Sequence, residues 1–243
     1  MPVLNRALRA VTRSLRPVAG ATANARDAVL RDHQAVQARR AAALAGAHAA
    51  GPSTWTAQEP GSWPSQERVR HAVDLYSDDA ELLSHLTAYV VDGLAEGETC
   101  LVVATPAHRA GLRRRLALAG LEDGDGPAHA GRLLALDADE MLCRFLRDDW
   151  PDPELFDLTV AEVMRTLVRQ GARVRVFGEM VGILHARGLL PAALQLEKLW
   201  EQLQRELDFP LLCAYPMAGC PEQDDDVRQH VLAVHPHVVA TAG

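Results

Sequence analysis

The sequence predicts an α/β domain from about His71 to Val239, with a mostly parallel sheet flanked by helices on both faces. Two observations predict it. Short runs of consecutive apolar residues recur, as in strands buried on both sides. Longer amphipathic segments separate these runs, and the alternation repeats at least four times, as successive βα units require.

The first strand is His71–Tyr76 (HAVDLY). Asp78 with Glu81 then gives a capping-box-like start to a helix that carries Leu82, Leu86, Val90 and Leu94 at four-residue spacing. Thr99–Ala104 (TCLVVA) is the second strand; Thr105-Pro106 supplies an N-cap and a first-turn proline, and Gly120 closes the helix that follows. Arg132–Leu136 is the third strand, followed by helix-start signals at Asp137 with Glu140 and at Asp152-Pro153. Phe156, Val160, Val163 and Leu167 form an apolar stripe that ends at Gly171. Val174–Phe177 is the fourth strand and Pro210–Tyr215 the fifth, with a helix bearing Leu194, Leu199, Leu203 and Leu207 between them. His237–Ala240 is expected to add an edge strand.

Residues 1–68 differ in character and are expected to be an Ala/Arg-rich N-terminal extension and linker, helical or disordered, ahead of the α/β domain at 69–243. Val3, Leu4, Leu8, Val11 and Leu15 recur at helical spacing among arginines. Such a pattern fits a helix on a membrane surface or a partner, but the apolar face is narrow and lacks aromatic residues. The balance therefore favours a loose extension, and membrane contact by residues 1–16 is disfavoured.

Net charge is -7, yet the first fifty residues hold eight arginines against Asp27 and Asp32, so the α/β domain is distinctly acidic. Phosphate contacts need a basic face, which argues against nucleic acid as its partner. Four scattered cysteines in a 243-residue chain do not make a disulfide framework. Arginine at every third or fourth position of the first sixteen residues breaks any signal-peptide core. A cytoplasmic location is expected.

HAVDLY, GLAEGETCLVVATPAHR, VRVFGEM and LLCAYP, followed by His235, occur in an order and spacing that resemble the MEDS family over about Arg70 to Val239. These are sensory domains of methanogen and methylotroph regulators. The resemblance implies an offshoot of the RecA-like ATPases with a degenerate P-loop, found in bacterial regulators and binding a small ligand. It places GETCLVVATPAHR at the phosphate-binding strand and loop, and VRVFGEM at the acidic, metal-associated strand. The residues themselves exclude the usual P-loop chemistry. Thr-Pro-Ala-His-Arg follows LVVA with no glycine, no lysine, and a proline that lacks an amide hydrogen. Thr105 at a helix start near His108 and Arg109 leaves anion binding open.

Ligands of parallel sheets bind at the strand carboxyl ends, which directs attention to Tyr76-Ser77, Thr105, Asp137, Gly178-Glu179 and Tyr215. Glu179 follows a buried strand and one glycine, where a carboxylate meets a hydrogen-bonding ligand or a cation, or else starts a helix. Tyr76 and Tyr215 end strands and offer ring area and a hydroxyl; each taken alone reads slightly better as a core tyrosine, and their shared place at strand ends is what lifts the pair. His71 and His235 match the family pattern, although His71 begins its strand and fits a structural role as well. His235-Pro236-His237 with Cys213 and Cys220 follows none of the usual paired-ligand spacings, so no metal site is assigned. There is no Gly-x-Ser-x-Gly elbow, so no catalytic set is assigned either. No residue pattern designates a cofactor.

The expected function is that of a non-enzymatic sensory module that binds an unidentified small molecule at the strand carboxyl ends and signals to a protein partner. Two alternatives stand beside it. One is a ligand-free interaction protein that docks a kinase or anti-sigma factor; the other is an enzyme with Glu179 as general base.

Overall fold

The computed structural model describes residues 53–56, 70–121, 132–217, 231, 235 and 237–240. The apolar pattern over residues 3–15, Pro236 and Cys220 lie outside them. Among the described residues, seven parallel strands form one sheet, in the order β1-β9-β2-β8-β7-β3-β4. They are β1 (Ser53–Thr56), β2 (His71–Tyr76), β3 (Thr99–Ala104), β4 (Leu133–Asp137), β7 (Val174–Gly178), β8 (Leu211–Pro216) and β9 (His237–Ala240). Leu146–Arg147 and Trp150–Pro151 form a small antiparallel hairpin, β5 and β6, turned by Asp148 and Asp149 in the left-handed region.

Helices α1 (Asp79–Ala95) and α2 (Pro106–Leu118) cover one face of the sheet. The other face carries α3 (Ala138–Phe145), α4 (Pro153–Phe156), α5 (Glu162–Arg169), α6 (Met180–Ala186) and α7 (Leu190–Leu207). Strand periodicity explains the two cores. Cys100, Val102 and Ala104 turn toward α1 and α2, whereas Leu101 and Val103 turn toward the opposite helices. Both sets are buried, so the strands read as unbroken apolar runs.

The expected caps form. Asp78 accepts from the Glu81 amide at 2.8 Å, Thr105 from His108, Asp137 from Glu140, and Asp152 from Glu154 and Leu155. Gly120 and Gly171 follow α2 and α5 at φ 73° and 81°, where a side chain would be strained.

Two expectations are corrected. His237–Ala240 is not an edge strand, because β9 pairs with β2 on one side and with β1 on the other. The edge belongs to Ser53–Thr56, inside the stretch read as linker, whose pairing with β9 uses backbone groups and leaves no apolar signature. The stripe from Phe156 to Leu167 is not one regular helix: a π-helical turn, Asp157–Ala161, separates α4 from α5.

A buried ion pair ties α1 to the amino ends of β3 and β7. Arg175 donates through Nε to Glu98 at 2.5 Å and through Nη1 to the Tyr89 carbonyl at 3.0 Å, with its guanidinium 4.8 Å from the Tyr89 ring centre. Gly93 makes the space, since a Cβ there would strike the Arg175 side chain and Cys100 Sγ. Burial pushes the Cys100 thiol up to about 12. No helix among the described residues is long and apolar enough to cross a membrane.

Candidate functional site

β3 leads outward to the edge strand β4, whereas its neighbour β7 leads the other way, to β8. Their carboxyl ends therefore flank a topological switch point, where open α/β sheets form their crevice. Thr105 follows β3 and Glu179 follows β7, so the fold brings two of the expected residues together. Glu179 Oε2 accepts from the Thr105 amide at 3.0 Å, and Oε1 lies 2.7 Å from His108 Nδ1. A side-chain carboxylate thus occupies the start of α2, the position at which a P-loop would present its amides to a phosphate.

His108 bridges two carboxylates, because its Nε2 lies 3.2 Å from Asp79 Oδ1. A carboxylate oxygen on each ring nitrogen favours the doubly protonated imidazole, which donates from both. Its pKa is accordingly raised, first by the hydrogen bond to Glu179, against the opposing effect of burial, and then by the charges of Glu179 and Asp79. Glu179 is 3% exposed, whereas the Asp79 side chain is 77% exposed, so the relay runs from the interior to solvent. Tyr76 closes one side with its ring edge-on to His108, the centres 6.3 Å apart. Burial and the nearby Glu179 charge raise the Tyr76 phenol, which stays protonated as a donor. Arg109 pairs with Asp137 at 2.5 Å at the next strand end.

Tyr215, His71 and His235 are absent from that group. They meet instead beneath α7, on the opposite face of the sheet from α1. Paired register sets His71 and Cys213 two residues apart along adjacent strands, with Val73 opposite Cys213. Glu197 descends from α7 between them. Tyr215 donates its hydroxyl to Glu197 Oε1 at 2.7 Å; His71 Nε2 lies 3.4 Å from Glu197 Oε2 and 3.5 Å from Cys213 Sγ. His235 Nε2 lies 3.6 Å from Glu197 Oε1, and the two imidazole rings meet edge-on at 4.2 Å. Burial opposes a charge on Glu197, but His235, His71 and the Tyr215 hydroxyl outweigh it and hold its pKa at about 2. The Cys213 thiol is pushed well up by burial and by the Glu197 charge.

The six expected residues therefore divide between two places: Glu179, Thr105 and Tyr76 at the switch point, and Tyr215, His71 and His235 in the core. Glu197 and Asp79 completed these groups without being singled out, and Cys213, weighed with His235 for a metal site that was not assigned, completes the core group. Glu197 left one signal in the sequence. It follows Ala193 by four positions and precedes Trp200 by three, so a charged residue interrupts the buried stripe of α7. A third buried pair, Asp74 with His85 at 3.0 Å, joins β2 to α1 away from both groups.

No curated protein and no solved structure matches this sequence. Residues 70–236, more than half of the chain, match the family described as MEthanogen/methylotroph, DcmR Sensory domain. The match spans His71, Tyr76, Thr105, Glu179, Tyr215 and His235. The chain belongs to the MEDS family of sensory domains.

Proposed function

We propose that this sensory domain is non-enzymatic, binds a small hydrogen-bonding molecule at the carboxyl ends of β3 and β7, and passes its occupancy to a protein partner. The observation that carries the reading is the Glu179 latch. One carboxylate ties the start of α2, through the Thr105 amide and His108, to the junction between β7 and α6. A ligand that donates to Glu179, or offers its own oxygens to His108 and the Thr105 amide, competes for the same bonds. Its binding releases α2 from α6. A ligand shifts such an equilibrium only by its differential affinity for the latched and open states, and a buried charge-assisted pair provides that difference.

The absence of the P-loop glycines and lysine after β3 supports sensing over nucleotide hydrolysis. Native mass spectrometry of the gently purified full chain, with Glu179→Gln alongside, tests the reading. A reproducible organic adduct on the wild type, missing from the variant, is expected. Equal adducts on both proteins, or none on either, would overturn it in favour of docking without a ligand.

A further inference from the structure

We propose that His71, Glu197, Cys213 and His235 hold one zinc ion in a closed, structural site between β2, β8, α7 and the segment that precedes β9. Their donor atoms all lie within 4.8 Å of one another, and all four residues are buried. Zinc bonds of about 2.0–2.3 Å at tetrahedral angles place donors about 3.3–3.8 Å apart. Three separations within one donor set fall in that range: 3.4 Å from Glu197 Oε2 to His71 Nε2, and 3.5 Å from Cys213 Sγ to His71 Nε2 and to Glu197 Oε2.

The surrounding bonds aim the donors inward. His235 Nδ1 lies 2.8 Å from the Val231 carbonyl, which can only accept, so Nδ1 carries the proton and Nε2 presents its lone pair. Tyr215 donates to Glu197 Oε1 and leaves Oε2 facing His71 and Cys213. Metal-binding histidines and carboxylates are held in this way by outer partners. Charge also balances. One thiolate, one carboxylate and two neutral imidazoles offset the two positive charges of the ion, so the interior gains no net charge, and the thiol proton leaves to solvent on binding. Nitrogen, sulfur and oxygen donors together suit zinc rather than magnesium or calcium.

Four protein ligands leave no open position, so the ion cross-links the fold and does not activate water. His71 and Cys213 lie 142 residues apart in the chain, which is why no ligand spacing is visible in the sequence. The site shares no residue with the Glu179 latch and does not depend on the ligand reading.

The test is expression of the full chain in cobalt-supplemented minimal medium, followed by absorption spectroscopy and metal analysis. One equivalent of cobalt is expected, with intense four-coordinate visible absorption and a near-ultraviolet thiolate charge-transfer band that Cys213→Ala removes. Zinc should displace it stoichiometrically. Tyr215→Phe, nearly isosteric and outside the ligand set, should weaken zinc affinity about 10–100-fold. A wild type that retains no stoichiometric zinc or cobalt, a six-coordinate cobalt spectrum, a thiolate band unchanged in Cys213→Ala, or iron or copper in place of zinc would overturn the assignment.

Discussion

Arg175→Met isolates the Glu98 carboxylate in the interior while it preserves the packing of the side-chain stem against Gly93. Arg175 is 2% exposed and Glu98 fully buried, so water cannot replace the lost partner. Breaking a buried pair by removal of one member costs about 3–5 kcal/mol, most of it the stranded charge. Arg173 remains 3.2 Å from Glu98 Oε1 on an exposed side chain and recovers part of that. The expected loss is therefore at the low end, about 3 kcal/mol, or about 6–12 °C in Tm for a domain of this size. Urea denaturation of the full chain, with thermal melts beside it, gives the measurement. The decisive comparison is Glu98→Leu with Arg175→Met, which removes both charges and should regain at least about 2 kcal/mol of the single-variant loss. A single variant as stable as wild type, or a double variant no better than the single, would refute the claim that the penalty is an uncompensated buried charge.

Stability should also depend on pH through His108. The folded state favours its cation, so the contribution is complete below the ordinary histidine value of about 6.5 and is lost as pH rises through the raised folded value. Burial lowers the His85 pKa, but the hydrogen bond and charge of Asp74, with Glu81, raise it on balance. His85 therefore acts with the same sign, so His108→Gln should flatten the slope in part and His108→Gln with His85→Gln further, and urea midpoints across pH 5–9 measure it. Gly182→Ala should cost about 1–3 kcal/mol in denaturant unfolding, because the added methyl meets the Ala214 carbonyl oxygen, a backbone atom of β8 that cannot swing aside. Asp152→Ala removes the acceptor for the Glu154 and Leu155 amides and the partner of Arg147, so a loss of about 1–2 kcal/mol is expected in the same assay.

The elements most legible in the sequence were those governed by local rules. Strands buried on both faces need apolar residues at successive positions, as Thr99–Ala104 and Leu211–Tyr215 have. Short polar side chains before a helix find its free amides wherever they occur, so Asp78, Thr105, Asp137 and Asp152 marked four starts. Ser53–Thr56 escaped because its pairing with β9 rests on main-chain bonds that any four residues can make. The π-helical turn at Asp157–Ala161 escaped for a related reason: one inserted residue in a helix hardly alters its apolar periodicity.

The sequence by itself determined that this chain alternates strands and helices, lacks the glycines and lysine of a nucleotide loop, and resembles a sensory family. Those properties reside in neighbouring residues, where capping, periodicity and loop chemistry act over a few positions. Tertiary structure alone decided the strand order, which side of β9 carries the edge, and which of the polar residues meet. Glu179 finds His108 across 71 positions, and Glu197 finds His71, Cys213 and His235 from three other elements. Burial makes such meetings obligatory, since a charge taken into the interior must be paired, but only the packed sheet specifies the partner.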